Sequence, residues 1–123
     1  MANEFKCRTV KNVNAVAGTG SLLYATPIGK TSIMLELDIA NTTSAVVEAS
    51  VEVLDYSEST TVWNYLVKNA PVPAGGSLMV IAGQKIVLED RIGGGGTGDS
   101  VRVTASAANA LDVVAAILED VNS

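Results

Sequence analysis

The stretch SIMLELDIA (Ser32–Ala40) alternates apolar and polar side chains almost without interruption. On an extended backbone successive side chains point to opposite faces, and residues two apart share a face. One face would then carry Ile33, Leu35, Leu37 and Ile39, and the other Met34, Glu36 and Asp38. A period of two predicts a half-buried strand, and this is the clearest structural signal in the chain.

The next stretch, residues 46–56, repeats this pattern. Val47, Ala49, Val51 and Val53 would face inward, and Glu48, Ser50, Glu52 and Leu54 outward. Between the two predicted strands lies NTTSA (41–45), which has the length of a hairpin loop. The sequence therefore predicts two neighbouring antiparallel strands.

Shorter apolar runs continue along the rest of the chain. Residues 61–67 would place Trp63, Tyr65 and Val67 on one side. Prolines and glycines interrupt residues 70–76. Further strands are predicted at the start of SLLYATPIGK (21–30), where Pro27 and Gly29 end the strand, at 100–105, and on either side of Ala82-Gly83. The last stretch, 107–121, suits either a helix or a strand; we expect a strand because Val113 and Val114 are β-branched.

These strands, separated by turn signals, predict an all-β fold: a single-domain antiparallel β-sandwich, jelly-roll-like, with about eight strands. The domain would span residues 1–123, with a short N-terminal arm at about 1–8 and a glycine-rich hairpin loop at 89–99. The composition is 48% hydrophobic, yet the only aromatic residues are one Trp, three Tyr and one Phe. The core should therefore consist mainly of Val, Ala, Leu and Ile.

Charge and residue types argue against several classes of function. The net charge is −5 and the eight basic residues are scattered, so we expect no nucleic-acid binding. We expect neither a signal peptide nor a membrane span, because the N-terminus is charged and long apolar runs are lacking. The single Cys7 has no second cysteine for an internal disulfide, and we expect it to be a small strand residue.

The residues offer no basis for catalysis, a cofactor or a metal, so we expect no enzyme. The chain contains no histidine, which removes imidazole-based mechanisms and ligands. Paired carboxylates could serve as acid and base, but Glu36, Asp38, Glu48 and Glu52 all occupy outward strand positions, typical of a solvated face or a subunit contact. GKTS (29–32) lacks the earlier glycine of a phosphate-binding loop, and the four glycines at 93–96 precede a strand rather than a helix.

Several turn and strand motifs resemble those of small virion structural proteins of tailed bacteriophages, particularly those that infect cyanobacteria. The motifs are YLVK (65–68), PVPAGGSL (71–78), KIVLE (85–89), GDSVRV (98–103) and DVVAAILE (112–119), and TPIGK (26–30) fits the first half. The departure is an insertion of Asp90–Thr97 where that group has a short turn. The resemblance implies a β-sandwich located in the virion, assembled in the host cytoplasm, and it identifies no active residue.

The resulting hypothesis is a non-enzymatic cement (decoration) protein bound to the major capsid protein or other virion proteins. A neck or tail component and a receptor- or carbohydrate-binding module remain open as alternatives. We expect a homo-oligomer and suggest a trimer. Possible subunit contacts are Met34, Leu54, Trp63, Tyr65, Arg91 and Ile92, although burial within the sandwich would explain the apolar ones equally well.

Overall fold

The computed structural model describes residues 4–16, 19–27, 29–55, 62–89 and 98–119. These residues form eight β-strands and contain no helix. The strands are β1 (Glu4–Val10), β2 (Ser21–Ala25), β3 (Thr31–Asn41), β4 (Val47–Leu54), β5 (Trp63–Val72), β6 (Ser77–Glu89), β7 (Ser100–Ala105) and β8 (Leu111–Glu119).

The strands pair into two four-stranded antiparallel sheets. The order is β1-β8-β3-β6 in the first sheet and β2-β7-β4-β5 in the second. Among these eight strands only β4 and β5 are consecutive in sequence and in the same sheet; every other successive pair crosses between the sheets. This is the double-sheet arrangement of a jelly roll. The predicted all-β, antiparallel, jelly-roll-like sandwich is confirmed.

The core lies between the two sheets and is built largely from aliphatic side chains. The alternation predicted for β7 is confirmed, because Val101, Val103 and Ala105 are buried. The ambiguous C-terminal stretch is a strand, and every second side chain of it enters the core: Leu111, Val113, Ala115 and Ile117 are each at most 1% exposed.

A β-bulge in β3 reverses the predicted facing of its first half. On β8, Ile117 and Ala116 are adjacent, but their partners Met34 and Glu36 on β3 are two residues apart, so Leu35 is an extra residue. Such an insertion shifts the side-chain phase by one position. As a result Met34 is fully buried and Ile33, between the buried Ser32 and Met34, faces outward. The predicted inward position of Ile33 and outward position of Met34 are wrong.

Strand β5 contains two similar irregularities and lies at the edge of its sheet. Val67 pairs with Val51 and Tyr65 with Glu52, so Leu66 is an extra residue and the expected shared face of Tyr65 and Val67 is lost. The strand also continues through Pro71, beyond the predicted interruption. Proline is tolerated there because an edge strand does not need every backbone N–H for pairing.

Three predicted segments differ from the structure in the strands that they join or form. NTTSA links β3 in the first sheet to β4 in the second, so it is not a hairpin; the Asn41 side chain organises it by donating to the carbonyls of Ala45 and Val72. Strands β6 and β7, which flank the predicted glycine-rich hairpin loop at 89–99, belong to different sheets, and the Asp99 N–H donates to the Glu89 carbonyl. Residues 90–97 of that loop lie outside the described residues. Most of the expected N-terminal arm is strand β1, paired along its length with β8.

Candidate interaction surfaces

Arg102, Glu52 and Trp63 form a compact cluster on the outer face of the second sheet. The Arg102 Nε donates to Glu52 Oε1 at 3.0 Å, and a terminal guanidinium nitrogen donates to Oε2 at 3.1 Å. The guanidinium carbon lies 4.1 Å from the centre of the Trp63 ring. Both charged side chains are largely buried, and a bidentate pair under an aromatic ring compensates much of the lost hydration. The expected solvated position of Glu52 is therefore wrong.

The structure places the six predicted contact residues in different environments. Met34 is in the core, and Leu54 faces outward as predicted but is only 4% exposed, so neither is available on the surface of this chain. Trp63 is partly covered by its contact with Arg102, whereas Tyr65 is 51% exposed. Arg91 and Ile92 lie outside the described residues. Tyr65 is thus the most accessible of the four that the structure describes.

A cavity of about 330 Å³ opens beside Tyr65 on the same outer face. Strands β4, β5 and β7 provide most of its wall, together with Ala15 before β2. The Lys68 ammonium lies 5.3 Å from the centre of the Tyr65 ring. The lining residues are Ala15, Glu48, Ser50, Glu52, Tyr65, Lys68, Asn69, Thr104, Ala105 and Ser106.

The outer face of the first sheet presents several exposed apolar side chains that the described part of the chain does not cover. Phe5 on β1 pairs with Leu118, Leu118 with Ile33, and Ile33 with Val87 on β6, so one row of four apolar side chains crosses the whole sheet. The two ends of the row are highly exposed, Phe5 at 79% and Val87 at 58%. We call this row and the two parallel to it the apolar face.

The other two rows mix apolar and polar side chains. They consist of Cys7, Ala116, Glu36 and Ala82, and of Thr9, Val114, Asp38 and Met79. Met79 is 62% and Val114 49% exposed, and Cys7 is exposed as well. Glu36 and Asp38 are the two charged side chains in these rows. The sequence signal for the apolar face was present in β6 and β8, which carry apolar residues at both even and odd positions.

A polar network connects the two sheets inside the sandwich. The Tyr24 hydroxyl donates to Glu119 Oε2 at 2.5 Å and lies 2.8 Å from the Ser32 hydroxyl, while Lys6 lies 3.1 Å from Glu119 Oε1. Burial raises the pKa of Tyr24, and its hydrogen bond to Glu119 raises it further. Burial alone would raise the pKa of Glu119, but the hydrogen bonds from Tyr24 and Lys6 and the charges of Lys6 and Arg8 outweigh it and lower the pKa below 4.5.

The described part of the chain contains no cluster of metal-ligating residues and no membrane-spanning helix. No group of three or more Cys, Asp or Glu residues there is arranged to hold a metal ion. Within the same ranges, no helix has the length and apolar character needed to cross a bilayer.

Comparison with known proteins identifies no family. No family model matches the chain, and no curated protein matches it. Similar solved structures include infectious bursal disease virus Gt strain (13% identity, TM-score 0.48, covering 95% of this chain and 32% of the other). Others are the VP2 subviral particle of that virus (11%, 0.48, 94% and 32%) and T=1 particles derived from it (10%, 0.46, 95% and 35%).

This chain spans about a third of the length of those matched chains. At TM-scores below 0.5 these similarities carry no argument about function. The class of the protein rests instead on its strand order: a jelly-roll β-sandwich with one apolar and one polar outer face.

Proposed function

We propose that this protein is a non-enzymatic structural protein of a phage particle, and specifically a cement protein that binds the major capsid protein. The observation that carries the proposal is the apolar face. Large exposed apolar patches on soluble proteins mark interaction surfaces. Jelly rolls occur in viral capsid and lectin domains, but a fold does not fix a function, so the surface has to carry the argument.

The size of the apolar face suits a stable contact. Four strands about 4.8 Å apart, crossed by three rows that span roughly six residues of each strand at about 3.3 Å, present on the order of 400 Å². The largest patch on an ordinary monomer is about 300–600 Å², and a standard interface takes about 800 Å² from each partner. The apolar face could therefore form the centre of an interface whose rim comes from neighbouring loops.

Charge favours a different protein as the partner over a second copy docked face to face. Glu36 and Asp38 lie within the apolar face, and a two-fold contact would bring the same face against itself. Burying four carboxylates together would be costly. A partner surface with an apolar centre and Lys or Arg side chains would complement the face. The homotrimer expected from the sequence remains a proposal and would use other contacts.

The first experiment is to count the copies of this protein in purified particles by quantitative mass spectrometry. Copies comparable to those of the capsid protein support a cement protein, whereas a few copies per particle support the neck or tail alternative. Absence from washed particles would overturn the virion proposal.

The second experiment tests the apolar face directly. Phe5→Ser and Val87→Ser should fold normally, because both side chains are more than half exposed. We expect each variant to bind particles that lack this protein at least about tenfold more weakly than the unaltered protein does, which corresponds to about 1.4 kcal/mol. The matched control is Leu22→Ser, 60% exposed on the opposite outer face. Equal binding of all three variants would exclude the apolar face as the docking surface.

A further inference from the structure

The cavity beside Tyr65 has the dimensions of a site for one small ring. Ligand sites typically measure about 300–1,000 Å³, and this cavity, at about 330 Å³, is near the lower limit. It lies on the polar outer face, on the opposite side of the sandwich from the apolar face. A molecule docked through the apolar face would leave the cavity open to solvent.

A bulge in β5 holds the cavity wall in place. Ala49 pairs with Ala70 and Val51 with Val67, so Ser50 stands opposite both Lys68 and Asn69. Asn69 has a φ of 52°, and its N–H donates to the Ser50 hydroxyl at 2.9 Å. Bulges of this kind redirect side chains and are common beside functional sites.

The opposite wall is fixed by a reciprocal pair of hydrogen bonds. The Glu48 N–H donates to the Ser106 hydroxyl oxygen at 2.9 Å, and the Ser106 N–H donates to the Glu48 carbonyl at 2.9 Å. Because the Ser106 oxygen accepts, its own O–H can donate to a ligand. The Glu48 carboxylate has no hydrogen-bond or ion-pair partner among the described residues and can accept from a ligand.

The charges around the cavity balance. Both oxygens of Glu52 are already bonded to Arg102, which leaves one carboxylate, Glu48, and one ammonium, Lys68. A phosphate or another small anion would face the Glu48 charge with only one cation to bind it. A neutral ligand with several hydroxyl groups fits this balance better.

We propose that the cavity binds a neutral sugar ring. The exposed Tyr65 ring would stack on the apolar C–H face of the sugar, with Ala15 and Ala105 completing the apolar contact. Glu48 would accept hydrogen bonds from sugar hydroxyls, and Lys68 and Ser106 would donate to them. The inference is independent of the virion proposal, since it uses only the cavity on the opposite face.

The test is a titration of the isotope-labelled protein with methyl glycosides of glucose, galactose and mannose and with N-acetylglucosamine, monitored by NMR at millimolar concentrations. We expect at least one of these sugars to shift the amide signals of residues 48, 65, 68 and 106. Tyr65→Ala and Glu48→Gln should each weaken that sugar's binding about tenfold. The matched control is Leu22→Ala, an exposed apolar residue on the same face that does not line the cavity.

Several outcomes would overturn the proposal. One is that none of the four sugars shifts these signals. A second is that Tyr65→Ala binds as well as the unaltered protein while keeping its folded spectrum. A third is that glucuronate or inorganic phosphate binds and the neutral sugars do not. Particle binding, measured separately, would be unaffected by any of these results.

Discussion

The hydroxyl of Tyr24 on β2 donates a 2.5 Å hydrogen bond to the carboxylate of Glu119 on β8, and it thereby connects the two sheets of the sandwich. A hydroxyl has one proton to donate, so Ser32, 2.8 Å away, must donate to the tyrosine oxygen. Lys6 contacts the second carboxylate oxygen. The buried charge of Glu119 is thus held by one neutral and one cationic donor from different strands.

Tyr24→Phe should destabilise the fold by about 2 kcal/mol. The substitution keeps the ring but removes a donor to a buried carboxylate, and hydrogen bonds to charged groups contribute about 1.5–3 kcal/mol. Urea unfolding monitored by circular dichroism measures the change. Tyr65→Phe is the control, because that side chain is half exposed, and its effect should stay within about 0.5 kcal/mol.

Two carboxyl groups with lowered pKa values, Glu119 in this network and Asp112 elsewhere on β8, predict how stability depends on pH in acid. The lowered pKa of Glu119 and of Asp112, the latter caused mainly by the Asn12 N–H and also by Lys11, means that the folded state binds protons less readily than the unfolded state. The contribution of these two groups to the free energy of unfolding is complete when the pH is above their ordinary pKa values of 4.5 and 3.8. It is lost as the pH falls through their lower pKa values in the folded state.

At alkaline pH the sign is opposite. Because the pKa of Tyr24 is raised in the folded state, the contribution of Tyr24 to the free energy of unfolding is complete below its ordinary pKa of 10.0. It is lost as the pH rises toward the pKa of the folded state. We expect unfolding free energies to be highest between these limits. Tyr24→Phe should flatten the alkaline decline, and Glu119→Gln the acid one. Unchanged slopes in both variants would show that these groups do not govern the pH profile.

Breaking the Arg102–Glu52 pair should cost more than breaking an exposed pair. Arg102→Ala removes both hydrogen bonds that the largely buried Glu52 carboxylate accepts from the guanidinium, and Glu52→Ala removes the bidentate acceptor of Arg102; we expect losses of about 3 kcal/mol. Arg102→Lys should not restore stability, because an ammonium cannot reproduce the bidentate contact or stack as well on Trp63. The control is Lys11→Ala, whose partner Asp112 is more exposed, with an expected loss below about 1 kcal/mol. Equal losses at the two pairs would contradict this assignment.

Gly20→Ala should destabilise the protein by about 2–4 kcal/mol, because the position combines strain with a steric clash. Gly20 has a φ of 61°, and an added Cβ would lie 2.5 Å from the Thr104 hydroxyl oxygen and 2.7 Å from the Val103 carbonyl oxygen. Gly75→Ala provides the matched control: its φ is 65°, but a Cβ would meet nothing within 4 Å. The control should lose about 1 kcal/mol from strain alone. Thermal unfolding of both variants isolates the steric part.

The alternation of residues in the sequence correctly predicted which side chains face the core wherever the strands pair without an extra residue. In β7 and β8 no extra residue interrupts the paired ladders with β4 and β1, and the predicted core residues are buried. In β3 the alternation of Ile33, Leu35 and Leu37 is perfect in the sequence, yet the bulge at Leu35 divides these residues between the two faces. Met34 and Ile33 are both apolar, so hydrophobicity alone could not reveal the change of phase.

The two outer surfaces were harder to predict because they depend on contacts between distant parts of the chain. The apolar face needs β1, β3, β6 and β8 side by side, and this order follows from crossings between sheets that local loop signals do not specify. The cavity needs Glu48, Lys68 and Ser106 to converge from three parts of the chain. The sequence did single out Tyr65 as a possible subunit contact, but it did not group Tyr65 with Glu48, Lys68 and Ser106, which line the same cavity.

The bulge in β3 gives a direct comparison between two methionines. Met34→Ala should cost about 3 kcal/mol, because the side chain is fully buried and its removal leaves a cavity in the core. Met79→Ala should change the unfolding free energy by less than about 0.5 kcal/mol, since that side chain is 62% exposed on the apolar face. The two variants delete the same atoms from strand residues, so the change in strand propensity and the volume removed are matched.

In particle binding the order should reverse. Met79→Ala should be the weaker binder once both proteins are folded, because Met79 lies on the proposed docking surface and Met34 does not. A large loss of stability in Met79→Ala would mean that the outer face of the first sheet is already covered within this chain, and the docking proposal would then lose its basis.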